Sequence, residues 1–363
     1  MIHVFIGTKA QFIKMAPVMQ ELERRRIAYN FIDAGQHGGL TSDLIQQFEL
    51  RAPDVLLRSE RANIVGLGEA VAWAAKNIAR AAFRSRQAFK ELFRSEGGIC
   101  LIHGDTLTTL LSLFYARRCG IKVAHIEAGL RSHDLFNPFP EEIIRLVAMR
   151  YSDLLFAPSD WAAENLRQMG CAWKAVKVGG NTVADAVRYA RENINGKKQQ
   201  NKPYVVASIH RVENIYSRSR LTAVVALMER IALERQVIFV LHEPTRSQLA
   251  RFDLEHRLLR NQMIQMLPLQ SYLTFIGLLA SADFIVTDGG SVQEESYFLD
   301  VPCLVMRKKT ERQEGLGQNV LLAGFEKNRV DQFLRSFSAL RRAETCDDLS
   351  PSRTIVDHLL AWA

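Results

Sequence analysis

Short apolar runs recur from the first residues of this chain onward, each closing on a glycine or an acid and each followed by helical spacing. That rhythm leaves few architectures open, because a strand buried on both faces needs helices to cover it. Ile2 to Ile6 reads as a strand, Gly7-Thr8-Lys9 as a turn, and the residues through Glu23 as a helix. Tyr29 to Asp33 is a second strand and runs into the glycine-rich loop Ala34 to Gly39. Helices are expected at about 41–49 and 63–94, then a strand from Gly98 to His103 whose Gly104-Asp105-Thr106 opens a helix from Leu107 to Arg117. A strand at Ile121 to His125, a helix from Glu141, and a strand at Asp153 to Ala157 with a helix start at Ser159-Asp160 continue the series. Strands alternating with helices predict an α/β fold with a parallel, doubly wound sheet.

The rhythm changes around Val176 to Asp185, and Asn193 to Pro203 is polar, basic and aperiodic. A second set then begins with a strand at Tyr204 to Ile209 running into His210-Arg-Val-Glu-Asn214. Helix 218–234, strand Val237 to Leu241, helix 245–258, strand 263–266, helix 270–281 and strand Phe284 to Thr287 follow. Asp288-Gly-Gly-Ser291 is a turn opening another helix, Val301 to Met306 is a strand, and Arg307 to Gly317 is a charged loop. Two Rossmann-like domains are expected, 1–180 with most of the candidate acids and 181–350, facing across a central cleft. The amphipathic tail 351–363 is expected to pack back on the first. No repeat of 20–50 residues is evident.

The 363 residues suffice for two ordinary domains, and 48% hydrophobic with 24% charged is the balance of a soluble globular protein. No apolar run approaches the ~20 residues that span a bilayer, and the N-terminus reads as a strand without a charged leader, so a cytoplasmic location is expected. The five cysteines are widely spaced with no CxxC pair, which suggests neither zinc nor disulfides. Part of the net charge of +8 lies in Arg80, Arg84, Arg86, Lys90 and Arg94, on an expected amphipathic helix with Ala81, Phe83, Phe89 and Phe93. Such a run is either a solvated helix face or a patch for weak membrane contact; nucleic acid is not expected as a partner. The remaining charge suits an anionic small substrate.

Chemistry concentrates in His125 to Arg145, which holds Glu127, Asp134, Glu141 and Glu142 beside two arginines and two histidines. One acid sits just past a strand end and another opens the next helix, positions that face the ligand crevice of an α/β sheet. Acids clustered there are a candidate acid/base centre. The amides of Gly7 and Thr8 are placed to meet an anion at a helix N-terminus, with Lys9 and Lys14 adding charge. Plainer readings stand beside these. Glu127 can cap a helix or pair with Arg131, Asp105 can be an N-cap, and His210 can bond to Glu213. Asp134 reads as a solvated turn residue, and Glu294 as helix surface or packing support.

The motifs occur in one order: Gly7-Thr-Lys, Lys14-Met-Ala-Pro17, Gly35-Gln-His37, His103-Gly-Asp-Thr106, His125-Ile-Glu-Ala-Gly-Leu-Arg131 and Pro140-Glu-Glu142 with Arg145. Gly180-Asn-Thr-Val183, His210-Arg-x-Glu-Asn214, Thr287-Asp-Gly-Gly-Ser-Val-Gln-Glu-Glu295 and Thr310-Glu-Arg312 complete it. Together they resemble the UDP-N-acetylglucosamine 2-epimerase family over Gly7 to about Gly317. The resemblance implies the GT-B fold, a UDP-sugar substrate bound largely by the second domain, and a homodimer, for which Phe83, Phe89 and Phe93 are a candidate interface; no cofactor is expected, and no metal, because no metal-ligand cluster accompanies the acids and Lys and Arg can neutralise the diphosphate. It also implies a chemistry. The sugar C2 hydrogen is not acidic, so UDP is eliminated to leave a 2-acetamidoglucal, which is re-protonated on the opposite face of C2. UDP then adds back to C1, or water does in hydrolysing members.

By the same resemblance Asp105, Glu127 and Glu141 match the catalytic carboxylates and His210 the catalytic histidine. Lys14 and Arg145 would steady the leaving group or orient the acids. Gly7, Thr8, Lys9 and Arg211 fall in substrate-binding motifs. Gly289, Gly290 and Ser291, with Val292, would offer their turn to the diphosphate, Glu295 would hold the ribose, and Arg312 would reach the substrate. The chain departs from the pattern in its first loop, where Lys9 and Gln11 replace an arginine and an acid. Ile144, Val212 and the order Gly289-Gly290-Ser291 are further departures. These leave open a hydrolysing enzyme, a modified UDP-diacetamido sugar, a GT-B glycosyltransferase and a non-catalytic UDP-sugar binder.

Overall fold

A computed structural model describes residues 1–35, 38–57, 72, 77, 79, 82–83, 85–93, 97–135, 139–194, 203–341 and 349–362. Gln36, His37, Arg80, Arg84, Arg94, Cys346 and most of the expected helix 63–94 lie outside the described residues. The chain divides into two compact units, Met1–Ala186 with Asp348–Ala363, and Val187–Asp347.

The first unit runs β1 (Ile2–Ile6), α1 (Lys9–Arg24), β2 (Tyr29–Asp33), α2 (Gly38–Gln47), β3 (Val55–Leu56), α3 (Ser85–Leu92), β4 (Ile99–His103), α4 (Leu107–Arg118) and β5 (Lys122–Ile126). It continues through α5 (Glu141–Tyr151), β6 (Leu154–Ala157), α6 (Asp160–Gln168), β7 (Ala175–Lys177) and the start of α7 (Val183–Asn193). Its described strands form one sheet in the order β3-β2-β1-β4-β5-β6-β7, and every pair is parallel. β1, β2, β4 and β6 are buried along their whole length, which explains why they read as unbroken apolar runs rather than alternating ones.

The second unit holds the rest of α7, then β8 (Tyr204–Ser208), the single turn α8 (Val212–Ile215), α9 (Arg218–Ile231), β9 (Gln236–Leu241), α10 (Glu243–Arg251), α11 (Glu255–Leu259) and β10 (Ile264–Pro268). After them come α12 (Tyr272–Ala280), β11 (Phe284–Thr287), α13 (Gly290–Phe298), β12 (Cys303–Val305), β13 (Val320–Leu322) and α14 (Lys327–Ser336). Its sheet is also parallel, ordered β10-β9-β8-β11-β12-β13. A core of Val205, Val224, Phe239, Phe284 and Phe333 fills one face. The last helix, α15 (Pro351–Trp362), belongs to the first unit, where Arg25 bonds Asp357 at 2.5 Å and the Ser352 amide bonds Asp185 at 2.8 Å.

Both sheets are doubly wound, and each reverses its winding once, between β1 and β4 and between β8 and β11. At such a reversal the turns leaving the two strands diverge and open a crevice at their C-terminal ends. The loops carrying Gly7 and Asp105 leave one reversal, and those carrying His210 and Gly289 leave the other.

Several expectations need correction. The expected helix 245–258 is two helices, because Asp253 takes a left-handed φ of 56° and turns the chain between them. α7 is not among the expected elements, and β3, β7 and β13 are too short to register as periodic runs. Phe93 is not an interface residue. Phe93 is fully buried, packing edge-to-face on His3 at 5.0 Å, and Phe89 leans on the same core, while Phe83 remains exposed. Among the described residues no helix is long and apolar enough to cross a membrane.

Candidate active site

In the first unit the site grows from the ends of β1, β4 and β5. Gly7 must be glycine, since a Cβ there would lie 2.3 Å from the Thr108 hydroxyl. Thr8 caps α1, accepting from the Gln11 amide at 3.3 Å. The buried Gln11 side chain ties two loops together. Its carbonyl accepts from the Gly7 and Thr8 amides at 3.0 and 3.2 Å, and its NH2 donates to the His103 carbonyl at 2.8 Å and to the Thr106 and Thr109 hydroxyls. The expectation that those two amides face an anion is therefore corrected, because Gln11 engages both. An acid at position 11 could not donate to the His103 carbonyl, so the glutamine is the side chain this geometry requires.

Lys14 lies one helical turn further on and is buried. Its ammonium sits 2.5 Å from Glu127 Oε1, both side chains at most 5% exposed, and Asn181 donates to the same oxygen at 2.6 Å. His103 Nε2 stands 3.7 Å from the other oxygen. Glu127 itself holds a left-handed φ of 68°, a conformation that costs a non-glycine residue about 1–2 kcal/mol. Such strain at a strand end next to a charge cluster makes Glu127 a candidate for chemistry. Arg131, the nearest cation in sequence, turns instead to Glu142.

Asp105 is no N-cap: Thr106 holds that position of α4, and the Asp105 carboxylate pairs with Arg145. Arg145 also lies 3.4 Å from Glu142, which is fully buried and accepts from the Ser132 amide at 3.0 Å. Burial alone would raise the Glu142 pKa, but the Ser132 amide and Arg131 outweigh it and hold the carboxyl below its ordinary value. Glu141, half-buried, shares the first turn of α5 with it, where the helix dipole favours carboxylates. His125 lies beneath this group, donating from Nε2 to the Gly104 carbonyl at 2.8 Å, and burial pushes its pKa down to about 4.

In the second unit the organising residue is Asp288, fully buried at the end of β11. It accepts from the His210 amide at 2.9 Å, the Arg211 amide at 3.0 Å and the Asn214 side chain at 2.9 Å. His210 does not bond to Glu213. Its ring stacks on His242, centroids 4.5 Å apart, and turns Nδ1 toward Asp288 at 3.6 Å. Burial pushes the His210 pKa below its ordinary value, while the Asp288 charge opposes that. A Cβ on Gly289 would lie 2.7 Å from His210 Cε1, so only glycine lets the ring approach the N-terminus of α13. Gly290 opens that helix, Ser291 is exposed in its first turn, and Glu295 is buried further along it.

The loop after β12 clamps this turn. Arg312 is buried and reaches Glu294 at 3.0 Å, so Glu294, fully buried, is not helix surface. Gln293 donates to the Arg312 and Glu314 carbonyls, both at 3.1 Å. Glu311 lies 3.2 Å from Arg307 and 3.5 Å from Arg211. Burial raises its pKa, but Arg307, Arg312 and Arg211 together bring it down to about 2.

The candidates thus separate into two groups, Lys14, Asp105, Glu127, Glu141 and Arg145 in one unit and His210, Arg211, Gly289, Gly290, Ser291, Glu295 and Arg312 in the other. Lys9 is half-buried at the start of α1. Sequence reasoning gave no role to Gln11, His103, Asn181, Asp288 or Glu311, although all but Gln11 lie within quoted motifs. Among the described residues no group of three His, Cys, Asp or Glu side chains is placed to hold a metal ion.

Comparison with known proteins identifies relatives of the whole chain. The sequence profile of the UDP-N-acetylglucosamine 2-epimerase family matches residues 20–351. A UDP-N-acetylglucosamine 2-epimerase from Methanococcus maripaludis is 32% identical over 92% of this chain and 92% of its own. The crystal structure of Methanocaldococcus jannaschii UDP-GlcNAc 2-epimerase in complex with UDP-GlcNAc and UDP superposes with a TM-score of 0.85 at 29% identity, covering 100% of this chain and 99% of that one. The Neisseria meningitidis UDP-GlcNAc 2-epimerase bound to UDP-GlcNAc gives 0.83 at 26% identity, covering 99% of each chain. With two parallel α/β sheets of the GT-B type, a profile match along most of its length and the acid and histidine clusters at its strand ends, this chain belongs to the UDP-N-acetylglucosamine 2-epimerase family.

Proposed function

We propose that this protein interconverts UDP-N-acetylglucosamine and UDP-N-acetylmannosamine at C2. The observation that carries the reading is the Glu127 carboxylate, buried at the end of β5 and held by Lys14 and Asn181. A non-catalytic binder has no use for a lysine–carboxylate pair buried at such cost in desolvation. In the proposed reaction one of Asp105, Glu127 and Glu141 takes the C2 proton while the C1–oxygen bond breaks. The C–H electron pair becomes the C1–C2 double bond and the bonding pair leaves with UDP. A second acid returns a proton to the other face of C2, and a UDP oxygen adds back to C1.

The α13 turn of Gly289, Gly290 and Ser291, with Arg211 and Arg312, is proposed to receive the diphosphate, since a helix N-terminus flanked by arginines is an anion site. Glu295 is proposed to hold the ribose, and the side chains of Thr8 and Lys9 to contact substrate. The family resemblance also supports a homodimer, which light scattering on the purified protein tests directly.

The deciding experiment is proton and phosphorus NMR with UDP-N-acetylglucosamine in deuterated water. UDP-N-acetylmannosamine carrying deuterium at C2 is the expected product. Free UDP with C2-deuterated N-acetylmannosamine would replace re-addition of UDP by water. Absence of both exchange and product would refute the proposal.

A further inference from the structure

We infer that Asp288 is the positioning residue for His210, pinning its turn and holding the imidazole in the Nδ1–H tautomer so that Nε2 is the nitrogen left for the substrate. The inference rests on the proposed epimerase reaction with His210 as its catalytic histidine, the role the family resemblance implies, and adds the residue through which that role is set. Three donors from one short segment converge on this carboxylate: the His210 and Arg211 amides and the Asn214 side chain, all within 3.0 Å. An amide in its place would turn an NH2 toward at least one of those donors, so the site demands an acid. Both oxygens are spent on fixing the backbone that carries the imidazole. The same Oδ1 lies 3.6 Å from Nδ1, too far for a hydrogen bond but near enough that its charge favours a proton on Nδ1 over one on Nε2.

The ring is confined on its other sides. His242 stacks against it within 25° of parallel, and Gly289 leaves room beside Cε1 that any Cβ would take. About a third of the side chain, 34%, stays exposed. The groups that set its charge are Asp288 and Glu213, which favour the imidazolium, and Arg211 and Arg307, which with burial oppose it. His242, stacked on the ring, and the N-terminus of α13 complete its surroundings. This places a neutral imidazole at a helix N-terminus with a carboxylate behind it, ready to gain a proton at Nε2 and keep it briefly.

The test uses full-length protein labelled with 15N-histidine, with His210 assigned by the signals lost in His210→Asn. Wild-type His210 is expected to show a protonated Nδ1 and a bare Nε2 above its titration. In Asp288→Asn the tautomers should mix and His210 should titrate at lower pH. The acid limb of kcat should move the same way, and kcat should fall by about a hundredfold or more while KM changes little. A wild-type His210 protonated on Nε2 would overturn the inference without recourse to any variant. So would a folded Asp288→Asn whose His210 tautomer and titration match wild type. If the nitrogen signals move but kcat does not, the role of His210 in the reaction falls, and with it any part for Asp288 in turnover.

Discussion

Replacing Lys14 by methionine tests whether the first unit stores a buried charge pair at its centre. At 2.5 Å and an effective dielectric constant of about 20, the ammonium and the Glu127 carboxylate attract by roughly 7 kcal/mol. Several kcal/mol per ion must be returned for desolvation, so the intact pair contributes little net stability. Removing one partner is different, because the remaining charge keeps its desolvation cost and loses its neutralising ion. Lys14→Met and Glu127→Gln should each destabilise the unit by about 3–5 kcal/mol, and the double variant by no more than either single one. Urea unfolding followed by tryptophan fluorescence reports the effect, since Trp161, Trp173 and Trp362 all belong to that unit. Costs that simply add, to within about 0.5 kcal/mol, would show two solvated side chains and refute the reasoning.

Two further predictions concern the same unit. Glu142→Gln should lower kcat while leaving UDP affinity, measured by calorimetry, unchanged, because Glu142 restrains the Arg145 that pairs with Asp105; an unaltered kcat would show that Arg145 is held without it. His125 binds a proton near pH 6.5 when unfolded and only near 4 when folded, so its contribution to stability is complete above 6.5 and is lost as pH falls toward 4, by about 3 kcal/mol. Tryptophan-detected urea midpoints should fall across that window and fall less in His125→Gln; equal slopes in the two proteins would exclude His125 as the cause.

The fold was legible wherever burial is two-sided. Val4, Phe5, Leu101, Val206 and Ile285 sit in strands covered on both faces, so each strand announces itself as an apolar run closed by a turn. What escaped was short or internally interrupted. β3 has 2 residues and β7 and β13 have 3 each, too few for any period to show. The break between α10 and α11 is made by the left-handed Asp253, and an aspartate in a helical pattern carries no sign of which conformation it will take.

The site was legible as a set of residues but not as a set of partners, and the cause is topological. Chain proximity suggested Glu127 with Arg131 and His210 with Glu213. The observed partners are Lys14, 113 residues from Glu127, and Asp288, 78 residues from His210. In a parallel sheet a side chain at a strand's C-terminal end meets the turns leaving neighbouring strands, not the next turn of its own chain. Sheet order therefore chooses the partners: β8 lies beside β11, so His210 finds Asp288, and β5 lies beside β4, so Glu127 finds His103. Lys14 completes the set from α1, which follows β1 on the far side of β4. Alternating strands and helices allow more than one doubly wound order, so the pairing becomes readable only once the order 3-2-1-4-5 is known. An acid at a strand end is best matched to the turn of the adjacent strand before any residue four positions along is considered.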